Sequence, residues 1–289
     1  MKKLVLRGRS LSPADIDFIQ ATTQKHWDQG RSYISRVLCQ HWDWRQPNGW
    51  LKDRACRDIL LALERLGYLS LPPRKAEKNN CPALRFDNLP DFSMQPLVGT
   101  AGDFRSVKIE MVRQTDREYL WDYLVHTYHY LGNPGIVGSH LKYLVYVNDQ
   151  VAACLGWGAP AWRVRAREEF IGWNDTQKRQ NLHLIVNNVR FLILPWIKIK
   201  YVASQAMAAT IRRLPSDWHS FYGHPIVLLE TFVDTARFAG TCYKASNWIY
   251  VGHTKGVAKR GHHHIHHGRI KAIYLYPLSK KYKERLAPM

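Results

Sequence analysis

Apolar residues recur three and four apart through the first seventy positions and change to alternating and continuous runs from about position 106. The first pattern is that of amphipathic helices, the second that of strands set between helices. In "LSPADIDFIQATTQKHW" Ser12 is placed to cap a helix that opens on Pro13, with acids in its first turn. "RSYISRVLCQHWDW" sets Ile34, Val37, Leu38 and Trp42 on one face, and Pro47, Asn48 and Gly49 then signal a turn. A third helix, "LKDRACRDILLALERLGYL", carries an apolar stripe of Ala55, Ile59, Leu60, Leu63 and Leu66 and ends at Gly67. "YLSLPP" reads as a short strand after it.

Residues 72–105 are rich in proline, asparagine and charge, with weak periodicity, and read as a linker. Beyond them "SVKIEMV" is a strand, "DREYLWDYLVHTYHYLG" a helix, and "HLKYLVYVNDQVAACLGWGAP" a hairpin turning at Asn148-Asp149. "AWRVRAREEFIGWN" is a helix or an irregular segment. "LHLIVNNVRFLIL", "HPIVLLETFV", "WIYVGHT" and "KAIYLYPL" read as strands, and "VASQAMAATIRRL" as a helix. The fold class is therefore α+β: a helical domain at 1–71, a linker at 72–105 and an α/β domain at 106–289. Short helices, a turn and a trailing strand give the first domain a helix-turn-helix or winged-helix pattern.

Charge narrows the function. Lys plus Arg number 42 against 23 acids, a formal charge of +19 spread along 289 residues. A field of that sign attracts polyanions, nucleic acid first and an anionic membrane second. No window approaches the roughly 18 apolar residues of a membrane helix, and the apolar run in "MKKLVLRGRS" is too short for a signal peptide. Five cysteines, Cys39, Cys56, Cys81, Cys154 and Cys242, follow no metal or disulfide spacing and suit a reducing cytoplasm.

Several groups are candidates for phosphate contact. Lys52, Arg54 and Arg57 open the third helix, where a recognition helix presents cations to a groove. Arg163, Arg165 and Arg167 lie two apart beside Glu168 and Glu169, and on an extended segment they would point one way. Lys255, Lys259, Arg260 and Arg269 flank the histidines of "KRGHHHIHHGR", a loop for polyanions whose grip would strengthen as those histidines protonate.

Candidate catalytic groups gather at "ETFVDTARFAGTCYKASNW". Glu230 ends an apolar strand, either as a functional acid or as half of a buried ion pair with Arg190 or Arg237. Asp234 is a functional acid or the N-cap of "TARFAGTCY". Cys242 and Tyr243 are nucleophiles or core residues, a tyrosine suiting DNA strand transfer. His126 and His129, three apart, could join Glu230 around a divalent metal, or simply pack in an aromatic turn.

The order of strands and helices resembles the core of GNAT-type N-acyltransferases. That resemblance implies a pyrophosphate-binding turn at 194–205, but its glycine positions fall on Tyr201 and Ala203, with Lys198 as the basic position. Tyr201 would block the close backbone approach that glycine permits. "LCQHWDWRQPNGWLKDRACRDILLALERLGYLSLPP", "YHYLG", "REEFIGW", "NNVRFLILPW" and "LLETFVDTARFAGTCYKASNWIYVG" resemble the DruA family, and "TCYKASNW" with "GHTKGVAKR" varies its commoner "TCYRAANW" and basic tail. This resemblance implies bacterial, DNA-linked biology, in anti-phage defence or beside a transposase, with a helicase or transposase as partner protein. The expectation is a cytoplasmic DNA-binding protein. The alternatives are a DNA-cleaving or strand-transferring enzyme using Glu230, Asp234 and His129 with a divalent metal or Tyr243, and a GNAT-like acyltransferase.

Overall fold

The computed structural model describes residues 4–47, 49–73, 86–104, 107–260, 263–266 and 268–288, with residues 101, 257–260 and 263–266 described by their backbone alone. Asn48 of the turn, Cys81 and the side chains of Lys259, Arg260 and the histidines between 262 and 267 thus lie outside the described residues. The chain forms two compact units, Met1–Arg85 and Phe86–Met289.

In the first unit a hairpin of β1 (Leu4–Leu6) and β2 (Arg9–Leu11) precedes three helices, α1 (Pro13–Lys25), α2 (Arg31–His41) and α3 (Asp53–Arg65). The Ser12 hydroxyl accepts from the Asp15 N–H while the Asp15 carboxylate accepts from the Ser12 N–H, a capping box, with Pro13 at the first helical position. Ile19, Ile34, Leu38, Cys56, Ile59, Leu60 and Leu63 fill the core between the helices. Residues 42–52 connect α2 to α3, longer than the three or four residues of a helix-turn-helix turn. No strand forms at "YLSLPP"; the Leu71 N–H is instead held by the Glu64 carboxylate.

The second unit is built on a seven-stranded mixed sheet. Its elements are β3 (Leu97–Thr100), β4 (Lys108–Met111), α4 (Glu118–Tyr128), β5 (His140–Val147), β6 (Gln150–Gly158), α5 (Arg165–Ile171), α6 (Asp175–Asn181), β7 (Ile185–Ile193), β8 (Ile197–Lys200), α7 (Val202–Tyr222), β9 (Leu228–Asp234), α8 (Thr241–Ala245), β10 (Ile249–His253), β11 (Val257–Arg260), β12 (His263–His266), β13 (Lys271–Pro277) and α9 (Tyr282–Leu286). The sheet runs β10-β13-β9-β7-β6-β5-β4, and every neighbouring pair is antiparallel except β7 and β9. Asn148 and Asp149 both take positive φ at the β5–β6 turn, the conformation a tight two-residue hairpin demands.

Alternation along the strands divides the core in two. Tyr143, Val145, Leu155, Trp157, Leu229 and Val233 face α7, which buries Ala206, Met207, Ile211, Leu214 and Trp218 against them. On the opposite face α4 packs Leu120, Trp121, Leu124 and Val125 against Leu144 and Cys154. Ile171, from α5, and Leu286, from α9, cover Leu228 and Leu275 on strands β9 and β13. Gly156 permits the close seating of α4: a Cβ there would stand 3.0 Å from the Trp121 ring.

Part of the expected linker belongs to this unit, because β3 pairs in parallel with β8. That pairing also replaces the expected phosphate-binding turn. Ile197–Lys200 is extended with Lys198 exposed, and Tyr201 takes φ +68° just before α7 with 73% of its surface exposed. Among the described residues no helix is long and apolar enough to cross a membrane.

Candidate functional site

Glu230 is the acid the sequence singles out first, and its environment is structural. It lies on β9 facing α5, where Arg167 of that helix donates to its Oε2 at 2.7 Å and the Ala161 N–H to its Oε1 at 2.9 Å. Both side chains are completely buried. Burial pushes the Glu230 carboxyl up, while Arg167 and the Ala161 N–H pull it down. The buried ion pair is thus real, but its cation is Arg167 rather than Arg190 or Arg237. The same contact corrects the expectation of a phosphate-gripping arginine row. Helix α5 begins at Arg165, so Arg163, Arg165 and Arg167 do not share an extended face. Arg167 is inside, Arg165 pairs with Glu169 at 2.6 Å, and Arg163 is exposed.

Strands β7 and β9 pair only from Ile185↔Leu228 to Asn188↔Thr231 and then part. Where they diverge, a cavity of about 700 Å³ opens between the segment after α4 and the start of α8. His129, Tyr130, Asn187, Asn188, Arg190, Asp234, Phe238, Cys242, Tyr243 and Lys271 are in its wall. Three of the four candidate catalytic residues therefore meet here, His129, Asp234 and Tyr243; Glu230 does not line it.

Each of the three has a partner that defines its state. The Tyr243 hydroxyl donates to Asn188 Oδ1 at 2.7 Å, and burial pushes its pKa up. The same cause pushes the Cys242 thiol up to about 11, so neither group is an ionised nucleophile at neutral pH. His129 Nδ1 accepts from the Leu131 N–H at 3.2 Å, which puts the proton of the neutral ring on Nε2. Burial, followed by the charge of Arg190, lowers its pKa to about 4. Asp234 Oδ1 accepts from the Ala236 N–H at 3.1 Å, and its carbonyl accepts from the Arg237 and Phe238 N–H groups. Its cap is therefore on a turn rather than on α8, which Gly240 precedes at φ +69°. A Cβ on Gly240 would lie 2.8 Å from the Tyr274 hydroxyl, so only glycine fits there.

That turn places Phe238 and Arg237 at the cavity. Phe238 lies 5.5 Å from the Tyr130 ring and the Arg237 guanidinium 5.0 Å above it. Arg190, missed as a site residue, donates to the Gly132 and Val189 carbonyls, and no carboxylate pairs with it among the described residues. The "NNVR" run on an apolar strand was the available signal. The alternative of a metal centre is not assembled: His126 packs by the Phe86 ring at 5.4 Å, Glu230 is taken by Arg167, and among the described residues no three metal-ligating side chains converge.

The basic loop at 255–269 proves to be a ribbon, with β11 and β12 pairing Lys259↔His264 and Arg260↔His263. It leaves the sheet between the end of β10 and the start of β13, and Lys271 there is opposite Asp234. Ribbon and cavity thus occupy the same end of the sheet, with exposed Lys255 and Arg269 at the ribbon's base. In the other unit Arg54 is exposed at the start of α3, Lys52 lies 6.0 Å from the Trp44 ring, and Arg57 is committed to Asp53 and Ser32.

The model of the family described as Druantia protein DruA matches residues 67–285. A comparison with curated proteins gave no match. Among solved structures, similar folds include a GNAT-family acetyltransferase from Streptococcus pneumoniae (14% identity, 60% of this chain and 100% of that one, TM-score 0.38). An N-acetyltransferase from Staphylococcus aureus (12%, 60% and 99%, 0.38) and a Bacillus subtilis acetyltransferase in complex with CoA (12%, 60% and 100%, 0.36) are others. At TM-scores below 0.5 these likenesses carry no argument about chemistry.

Proposed function

This chain belongs to the DruA family, and on that premise we propose that it is a DNA-binding protein of bacterial anti-phage defence or of a mobile element. The observation that carries the reading is an excess of positive over negative side chains gathered at one end of the sheet. Arg190, Arg237 and Lys271 line or border the cavity, Lys255 and Arg269 stand at the base of the ribbon, and Asp234 is the carboxylate in the cavity wall. A two-stranded ribbon has dimensions that a DNA groove admits, and cations around it neutralise phosphates. Lys52 and Arg54 at the start of α3 supply a second basic surface, and Arg163 remains available on the surface. A helicase or transposase is the partner class that DNA-linked biology of this kind calls for.

The experiment is DNA affinity of the full chain measured across a salt series, with charge-reversal variants of Lys255 and Arg269. Binding that weakens steeply with salt and falls in the variants supports the reading. Salt-insensitive binding contradicts it.

A second reading, DNA strand cleavage or transfer, rests on His129, Asp234 and Tyr243 sharing one cavity. Divalent-metal-dependent nicking, or a covalent DNA adduct lost in Tyr243→Phe, would establish it; intact DNA under both conditions would remove it. The acyltransferase reading rests on the cavity between the splayed strands alone. Absence of acetyl-CoA binding by calorimetry would end it.

A further inference from the structure

We propose that the cavity between β7 and β9 receives a single unpaired nucleobase from a DNA strand whose phosphates lie against the cations at its mouth. The inference rests on the DNA-binding reading above and specifies what one part of the molecule does to the strand.

Four features carry it. The first is aromatic and exposed: Phe238 keeps 51% of its surface open and Tyr130 37%, although both lie beside a cavity with room for more apolar burial. With the His129 ring tilted against Tyr130 at 4.8 Å, they offer open ring faces of the type on which bases stack irrespective of sequence. The second is size. A cavity of about 700 Å³ is in the range of pockets that take small organic ligands and is ample for one base with its sugar.

The third is a polar group without a partner. Asn187 lines the cavity, and among the described residues its buried Oδ1 accepts no hydrogen bond, whereas the neighbouring Asn188 amide is fully engaged with Tyr243, Gly156 and Arg190. A rotation of that amide toward the cavity would present the orphaned acceptor to the exocyclic amino group of adenine or cytosine. The fourth is charge. Arg190 and Lys271 line the cavity and Arg237 covers Tyr130, against one lining carboxylate, Asp234, which accepts from its own turn and lies 3.9 Å from Arg237. Aromatic rings beside cations in an open cleft match a nucleotide, a flat π-face joined to a phosphate. They do not match an apolar ligand, which would bring no anionic partner to Arg190 and Lys271. A duplex presents no free base face, so the occupant is a nucleotide in a single strand or one turned out of a helix.

Anisotropy titrations of the full chain would use three labelled probes: a short abasic backbone, the same backbone carrying one adenine, and a normal duplex. Wild-type protein should bind the one-adenine strand more tightly than the abasic strand by about 5- to 150-fold, the range of one base–aromatic stack. Phe238→Ala and Tyr130→Ala should each remove most of that gain while leaving abasic affinity unchanged. Both side chains are exposed, so the variants should melt with the wild type. Equal wild-type affinity for the two strands, or a gain that survives both variants, overturns the pocket while DNA binding stands. No salt-dependent binding to any probe overturns DNA binding itself, and the pocket with it.

Discussion

At the scale of single residues, Glu230 and Arg167 show how a site-like acid can be part of the frame. Their 2.7 Å contact is wholly buried, so removing one partner strands the other's charge in an apolar setting. Glu230→Ala should cost about 3–5 kcal/mol in urea unfolding, whereas replacing both with methionine should cost less. An unchanged midpoint in Glu230→Ala would show the pair to be dispensable. Tyr243→Phe loses a hydrogen bond to Asn188 and should cost about 1 kcal/mol. His129 sets an acid limit. Its folded pKa of about 4 lies below the ordinary histidine value of about 6.5. Between those values the unfolded chain takes a proton that the folded chain refuses, so stability is complete above about pH 6.5 and lost as pH falls toward 4. Burial shifts His140, His183 and His224 in the same direction. Thermal melts from neutral pH to pH 4 should show the decline, and His129→Gln should flatten it.

At the scale of elements, the ribbon and the start of α7 carry the clearest expectations. Replacing 257–266 with a short glycine-serine turn should weaken DNA binding and lessen its salt dependence while leaving the melting temperature nearly unchanged. Tyr201 holds φ +68° with most of its surface in solvent, so Tyr201→Gly relieves backbone strain at little loss of contact. It should stabilise the protein by about 1 kcal/mol in the same urea assay. The elements legible in the sequence were those fixed by local chemistry. Ser12 and Pro13 announced α1, Asn148-Asp149 the β5–β6 turn, and apolar runs the strands β7, β9 and β13. What escaped was set at long range. Arg167 reads as a surface cation until Glu230, 63 residues on, draws it inside. Strand β8 reads as a turn until β3 pairs with it, and three-residue strands such as β1 are too short to show a period. The cavity was legible only in part. Its acid, histidine and tyrosine stood out by type, but Arg190 and Asn187 matter only because β7 and β9 separate.

At the scale of the whole molecule, a charge of +19 on 289 residues is a standing repulsion that folding alone does not require. DNA binding relieves it, because each phosphate contact releases condensed counterions. Among the described residues Lys52, Arg54, Arg163, Lys255 and Lys271 have no close carboxylate partner, and Arg237 stands 3.9 Å from Asp234, which makes six cations for phosphate. The most direct test is the affinity of the full chain for DNA measured between low and physiological salt. Six phosphate contacts predict a log–log slope of about −4 to −5. A slope near zero, or no binding at low salt, would contradict the account.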